Sequence, residues 1–252
     1  MTEHTYRAEW TKLRTLRSTW TTVVGAAVLA VALAAVVASQ QAGDWDGMTA
    51  AQRADIDPTA SSLIGVLFTT VILGSLAVRS VTSEFSTGMI RLTFSAMPHR
   101  RRVILAKAAI VAGLALGSAL VANLVAFVVG QGILSSVDAS TTLGAPGVAR
   151  SIVFGALAVT ATTILGVGLG AIVRRTAAAT TILAMAIIGT QMFSEVLPEG
   201  ARRLLPGVVL QATVTGDPSA DLLAPVPALL TLGAYAVVAL VVATVIVNRR
   251  DV

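Results

Sequence analysis

The sequence contains no cysteine and only two histidines, His4 and His99. Disulfide scaffolds, thiol nucleophiles and cysteine-held metals are therefore excluded, as is a multi-histidine metal centre. Aromatic residues make up 4% of the chain and charged residues 12%, about half the charged share of an ordinary soluble domain. There is no Gly-x-x-x-x-Gly-Lys-Ser/Thr phosphate loop, so the chain is expected to hold no ATP of its own. Neither His-Glu-x-x-His nor Gly-x-Ser-x-Gly occurs, which removes the candidate centres for metalloprotease and esterase chemistry.

What is abundant is apolar surface. Of 252 residues, 55% are hydrophobic, and the mean hydropathy is +0.83. Six runs carry no Asp, Glu, Lys, Arg or His: 21–39, 61–78, 108–134, 151–173, 176–193 and 228–247. They are 18 to 27 residues long and together make about half the chain. A helix needs about 20 apolar residues to cross a hydrocarbon core of ~30 Å. The runs lack the alternation of barrel strands, and a spanning helix satisfies its own backbone hydrogen bonds. The expected fold is an all-α integral membrane protein, one domain over 1–252, with six transmembrane helices. The first run is longer than the ~7–15-residue core of a signal peptide, so it is expected to remain as the first span.

The basic residues predict the orientation. With six crossings, both termini and the second–third and fourth–fifth connections share a side. That side holds fourteen of the 18 Lys and Arg residues; only Arg53, Arg150, Arg202 and Arg203 lie opposite. The acids divide the other way. The N- and C-termini are therefore expected in the cytoplasm of a plasma-membrane protein. The net charge of +5 becomes a marker of orientation, and no nucleic-acid partner is expected.

The connections carry the remaining signal. In the leader, Tyr6, Trp10, Leu13 and Trp20 share one helical face, and Lys12, Arg14 and Arg17 lie mostly away from it. This predicts an amphipathic interfacial helix on anionic lipid, and simple anchoring would also account for it. Thr49 and Gln52 have the spacing of a capping box. Asp44 and Asp46 lack an EF-hand pattern and read as solvated surface. Between the second and third spans, Phe85, Met89 and Leu92 recur at i, i+4 and i+7 before Pro98, predicting a short amphipathic cytoplasmic helix. Glu84 is the lone acid there, suited to an ion pair or a cap. Arg100, Arg101 and Arg102 are placed at the membrane boundary against lipid headgroups. His99 reads as solvated, with pH sensing the sharper alternative. The stretch 194–227 mixes charged, apolar and proline residues, and two readings stand: a partly re-entrant segment or a structured outer cap.

Within the spans, Asn123, Gln131 and Gln191 are the polar exceptions. They fit either a translocation path or interhelical hydrogen bonds. Gly113-x-x-x-Gly117 and Gly166-x-x-x-Gly170 both read as places of close helix packing.

Three segments carry a family likeness. The leader 9–20 runs into the first span, Ser83-Glu-Phe-Ser-Thr-Gly-Met-Ile-Arg91 is followed by Pro98-His-Arg-Arg-Arg102, and a long hydrophobic loop precedes the last span. The chain resembles the permease subunits of ABC-2-type transporters. That resemblance implies a non-catalytic subunit, an exporter driven by a separate dimeric ATP-binding subunit that carries the ATP and Mg, and pairing with a second or related permease. It implies that Glu84, Phe85, Gly88, Met89, Arg91 and Leu92 contact the ATPase through a coupling helix. A non-transporting membrane scaffold or immunity-type protein is the alternative.

Overall fold

The computed structural model describes residues 2–90, 100–215 and 222–249. Among them there is no strand. The helices are α1 (Thr2–Thr15), α2 (Arg17–Asp44), α3 (Ala50–Ala54), α4 (Pro58–Ser62), α5 (Val66–Ser86), α6 (Arg100–Leu134), α7 (Val148–Val173), α8 (Thr176–Met192), α9 (Glu199–Arg202), α10 (Pro206–Val214) and α11 (Pro225–Arg249).

Five of these, namely α2, α4 with α5, α6, α7 and α11, are long and apolar enough to cross a membrane. The sixth expected span is shorter. α8 has 17 residues, or about 25 Å at 1.5 Å per residue, against a core of ~30 Å. A π-helical stretch at Met185–Gly189 widens it, and Gly207 at the start of α10 packs against that stretch, where a β-carbon would collide with the Ile187 carbonyl. The length of a charge-free run does not reveal such an interruption.

α7 is the hub. It packs against α5, α6 and α11, with Leu73, Val159 and Leu232 in the shared core. Small residues permit the closest contact: a β-carbon on Gly166 would lie 2.6 Å from the Gly74 carbonyl oxygen, and one on Gly170 3.0 Å from that of Val78. The second glycine pair does something else. β-Carbons on Gly113 and Gly117 of α6 would meet nothing within 4 Å. Those glycines face an open groove, not a helix seam. α2 is peripheral, packed mainly on α6, with 22% of its apolar stretch buried against 56% for α7.

Contacts between helix ends divide the bundle into two poles. At one, Arg100 donates to the Val247 carbonyl at 3.3 Å and the Thr82 and Thr176 hydroxyls bond at 2.7 Å. This pole gathers α1, the end of α5, the start of α6, the start of α8 and the end of α11, which are the segments rich in Lys and Arg. At the other, Gln41 donates to Ser61 Oγ at 2.9 Å and the Tyr235 hydroxyl donates to the Leu204 carbonyl at 2.6 Å. The expected capping box is present there, with Gln52 N–H donating to the Thr49 hydroxyl at 3.4 Å and Thr49 N–H to Gln52 Oε1 at 2.8 Å.

Candidate functional site

The leader is not one continuous helix. Leu16 adopts an extended conformation (φ −81°, ψ 113°) and makes an elbow between α1 and α2. The Trp20 indole N–H fastens that elbow by donating to the Arg14 carbonyl at 3.0 Å. Leu13 turns inward against the apolar cluster of Val103, Ile104 and Val247. Glu9, one turn earlier, is carried to the same buried side.

Four ionised side chains close into a ring there. Lys107 Nζ, on the second turn of α6, donates to Glu9 Oε2 at 2.5 Å and to Glu84 Oε1 at 3.0 Å. Lys12 Nζ donates to Glu9 Oε1 at 2.7 Å and to Glu84 Oε1 at 2.8 Å. Glu9, Glu84 and Lys107 are only 4%, 6% and 4% exposed. An unpaired buried charge costs several kcal/mol, so the ring is tolerable because two carboxylates and two ammonium groups balance. Glu84 Oε2 is buried without a donor among the described residues. The ring joins α1 to the last turns of α5 and the first turns of α6, and so brackets the connection between them.

Burial works against the charge on Glu9, but Lys107 and Lys12 outweigh it and hold the carboxyl below its ordinary value. Burial likewise opposes the charge on Lys12, and the hydrogen bonds from Glu84 and Glu9 overcome it and raise the ammonium above its ordinary value. A lowered carboxyl contributes stability above its unfolded pKa of about 4, lost as pH falls through the folded value. A raised ammonium contributes below about 10.4 and is lost as pH rises through its own folded value. Docking of α1 should therefore be flat from about pH 5 to 9 and weaken on both sides. The tryptophan emission across a pH titration, in a Trp45→Phe variant that keeps Trp10 and the Trp20 fastener of the elbow, measures this. A midpoint near neutrality would contradict it.

The structure separates the other expected site residues. Lys12, grouped with the interfacial Arg14 and Arg17, turns inward to the ring, while Arg14, Arg17, Arg101 and Arg102 are exposed and Trp10 and Trp20 are 41% and 44% exposed. Phe85 belongs to the last turn of α5, half-buried, with the Arg174 guanidinium 4.9 Å from its ring centroid. It does not share a continuous helix with Met89. The Thr87 hydroxyl donates to the Ser83 carbonyl at 2.8 Å, and Gly88 at φ 70° breaks the helix, a conformation that suits glycine. A new helical stretch starts at Met89, which is 48% exposed. Arg91, Leu92, Pro98 and His99 lie outside the described residues.

The three polar residues of the spans are dispersed. Asn123 donates to the Ile152 carbonyl at 3.3 Å in the core, and its Oδ1 is buried without a partner among the described residues. Gln131 ties α6 to α4, donating at 2.9 Å to both the Pro58 carbonyl and Ser62 Oγ and accepting from Thr141 N–H at 2.7 Å. Gln191 donates to Gln211 Oε1 at 3.0 Å, beside a small cavity of about 140 Å³ between α5 and α10. Neither Asn123 nor Gln131 lines that cavity.

Glu9 and Lys107 were missed in the sequence. The available signals were faint: an acid one turn before Leu13 on the buried face of α1, and a lone lysine beyond the arginine triplet, set in an apolar run.

A family model described as ABC-2 family transporter protein matches residues 6–191, from α1 through nearly all of α8. No curated protein matches the chain.

Proposed function

We infer the role of this chain from the family to which it belongs, that of the ABC-2 transporter proteins. It is a multi-pass membrane protein, and we propose that it is the permease subunit of an exporter powered by ATP and Mg bound to a separate subunit. In this proposal α8 is the sixth crossing, completed by α10 as a partly re-entrant outer element. The basic pole faces the cytoplasm, and a second permease completes the pathway.

The observation that carries the proposal is the buried ring of Glu9, Lys12, Glu84 and Lys107. It clamps both flanks of the connection between α5 and α6 to the interfacial helix. A push on Gly88–Met89 and the following residues, including Arg91 and Leu92, cannot move that connection alone, because breaking the ring would strand charges in a low-dielectric interior. The load passes to α1 and to α5 together. From α5 it reaches α7 through the close seam at Gly166 and Gly170. ATP-driven closure of a docked ATPase would thereby tilt spanning helices. This chain supplies no chemistry to the hydrolysis; it supplies a stiff lever.

The test is extraction of the full chain from its own membrane. It should co-purify with an ATP-binding subunit and reconstitute ATP-dependent export. Glu84→Gln should leave that association intact but lower transport-coupled ATPase activity by about tenfold, the equivalent of roughly 1.4 kcal/mol. A chain that associates with no ATP-binding protein would be a scaffold and would end the proposal.

A further inference from the structure

We propose that the open groove between α2 and α6 is a binding site for one anionic phospholipid, its headgroup at Arg7 and one acyl chain along Gly113 and Gly117. The groove has a volume of about 790 Å³. Its mouth lies at the basic pole and is formed by Tyr6, Arg7 and Trp10 of α1 with Trp20 of α2. Its walls are the apolar faces of α2 and α6, from Val23 to Val28 and from Ala109 to Val121. A second apolar groove of about 430 Å³ shares Val28 and Val121 with it and continues along α2 to Ala35.

The dimensions match a lipid tail. From Trp20 to Val28 is about 12 Å along the helix, close to the ~15 Å depth of one leaflet. Tryptophan and tyrosine settle at the headgroup level, and here they flank the cation. An arginine in that layer attracts phosphate. The elbow at Leu16 keeps α1 across the mouth, so the cation and the tail slot are held in fixed register. A second copy of the chain fits less well. The groove's lining holds no acidic side chain, so a two-fold copy presenting the same patch offers Arg7 no opposite charge. The inference needs only that α2 and α6 are inserted in the membrane. It is independent of the coupling role, so either can fail alone.

The chain carries its own reporters. A Trp45→Phe variant of the full chain leaves tryptophan only at positions 10 and 20, both at the mouth. It is placed in phosphatidylcholine nanodiscs and titrated with brominated-chain phosphatidylglycerol, or with brominated-chain phosphatidylcholine. The expected result is saturable quenching, with an apparent affinity about fivefold higher for the anionic lipid. Adding Arg7→Gln should erase that preference while both lipids still quench. Adding Gly117→Leu should abolish the saturable component for both, because its side chain enters space where a β-carbon meets nothing within 4 Å. Circular dichroism should be unchanged and the melting temperature should not fall in Gly117→Leu, which separates groove filling from misfolding. Saturable quenching that survives Gly117→Leu would place the lipid elsewhere and overturn the proposal. So would a preference that survives Arg7→Gln. Absence of saturable quenching together with weakened self-association of Gly117→Leu would make the groove a contact between copies, contrary to the proposal.

Discussion

Replacing Lys107 by methionine should destabilise the full chain by about 3–5 kcal/mol, the usual cost of removing one partner from a buried ion pair. Methionine fills much of the same volume, so the loss is one of charge. It leaves Glu9 and Glu84 facing each other across Lys12, the one member of the ring with substantial exposure (37% of its side chain). A lost packing contact would behave differently in one respect. If the penalty is the unbalanced carboxylate, adding Glu84→Gln to Lys107→Met restores a neutral pair of Glu9 and Lys12. The double variant should then be more stable than Lys107→Met alone by about 1–3 kcal/mol. Unfolding in mixed micelles, followed by circular dichroism for the wild type and three variants, reads the cycle. Strictly additive losses would mean that the four side chains do not act as a ring.

The second large effect concerns the two glycine pairs. Gly166→Leu should cost about 3 kcal/mol or more, because its side chain must enter the contact with the Gly74 backbone and the Ala77 β-carbon. The same change at Gly117 should be neutral or slightly stabilising, since leucine favours a helix over glycine and nothing there is in the way. Melting temperatures of the two variants, measured in the same detergent, test this directly. Equal losses at both sites would contradict the packing described for α7.

These glycine pairs also mark where sequence stops being informative. Both have the same four-residue spacing in apolar runs, and nothing local distinguishes a seam from a groove floor. The difference arises from what lies opposite: α5 in one case, open space beside α2 in the other. Five of the six expected spans were legible as long apolar helices, because absence of charge over 18 or more residues is a property of the segment alone. So was the capping box at Thr49 and Gln52, a contact three residues apart. The interruption of α8 was not, since nothing in its charge-free run, one residue longer than the helix, marks the π stretch at Met185–Gly189. Gly88 was visible as a glycine, but the periodicity of Phe85 and Met89 suggested one helix where the backbone turns. The ring is the extreme case. Glu9 and Lys107 are 98 positions apart, and Glu84 looked like a lone acid in a basic connection until α1 folded over it.

In the proposed function, ATP energy reaches this chain from another protein at the turn after α5. Photo-cross-linking from Met89, with a benzophenone side chain introduced into the full chain in its own membrane, tests it most directly. The same group at Val237, on the exposed face of α11 and 60% exposed, is the control. The expected result is an ATP-binding subunit, identified by its peptide sequence, cross-linked from position 89 and not from 237. Cross-linking to lipid alone at position 89, or to the ATP-binding subunit equally from both positions, would contradict it.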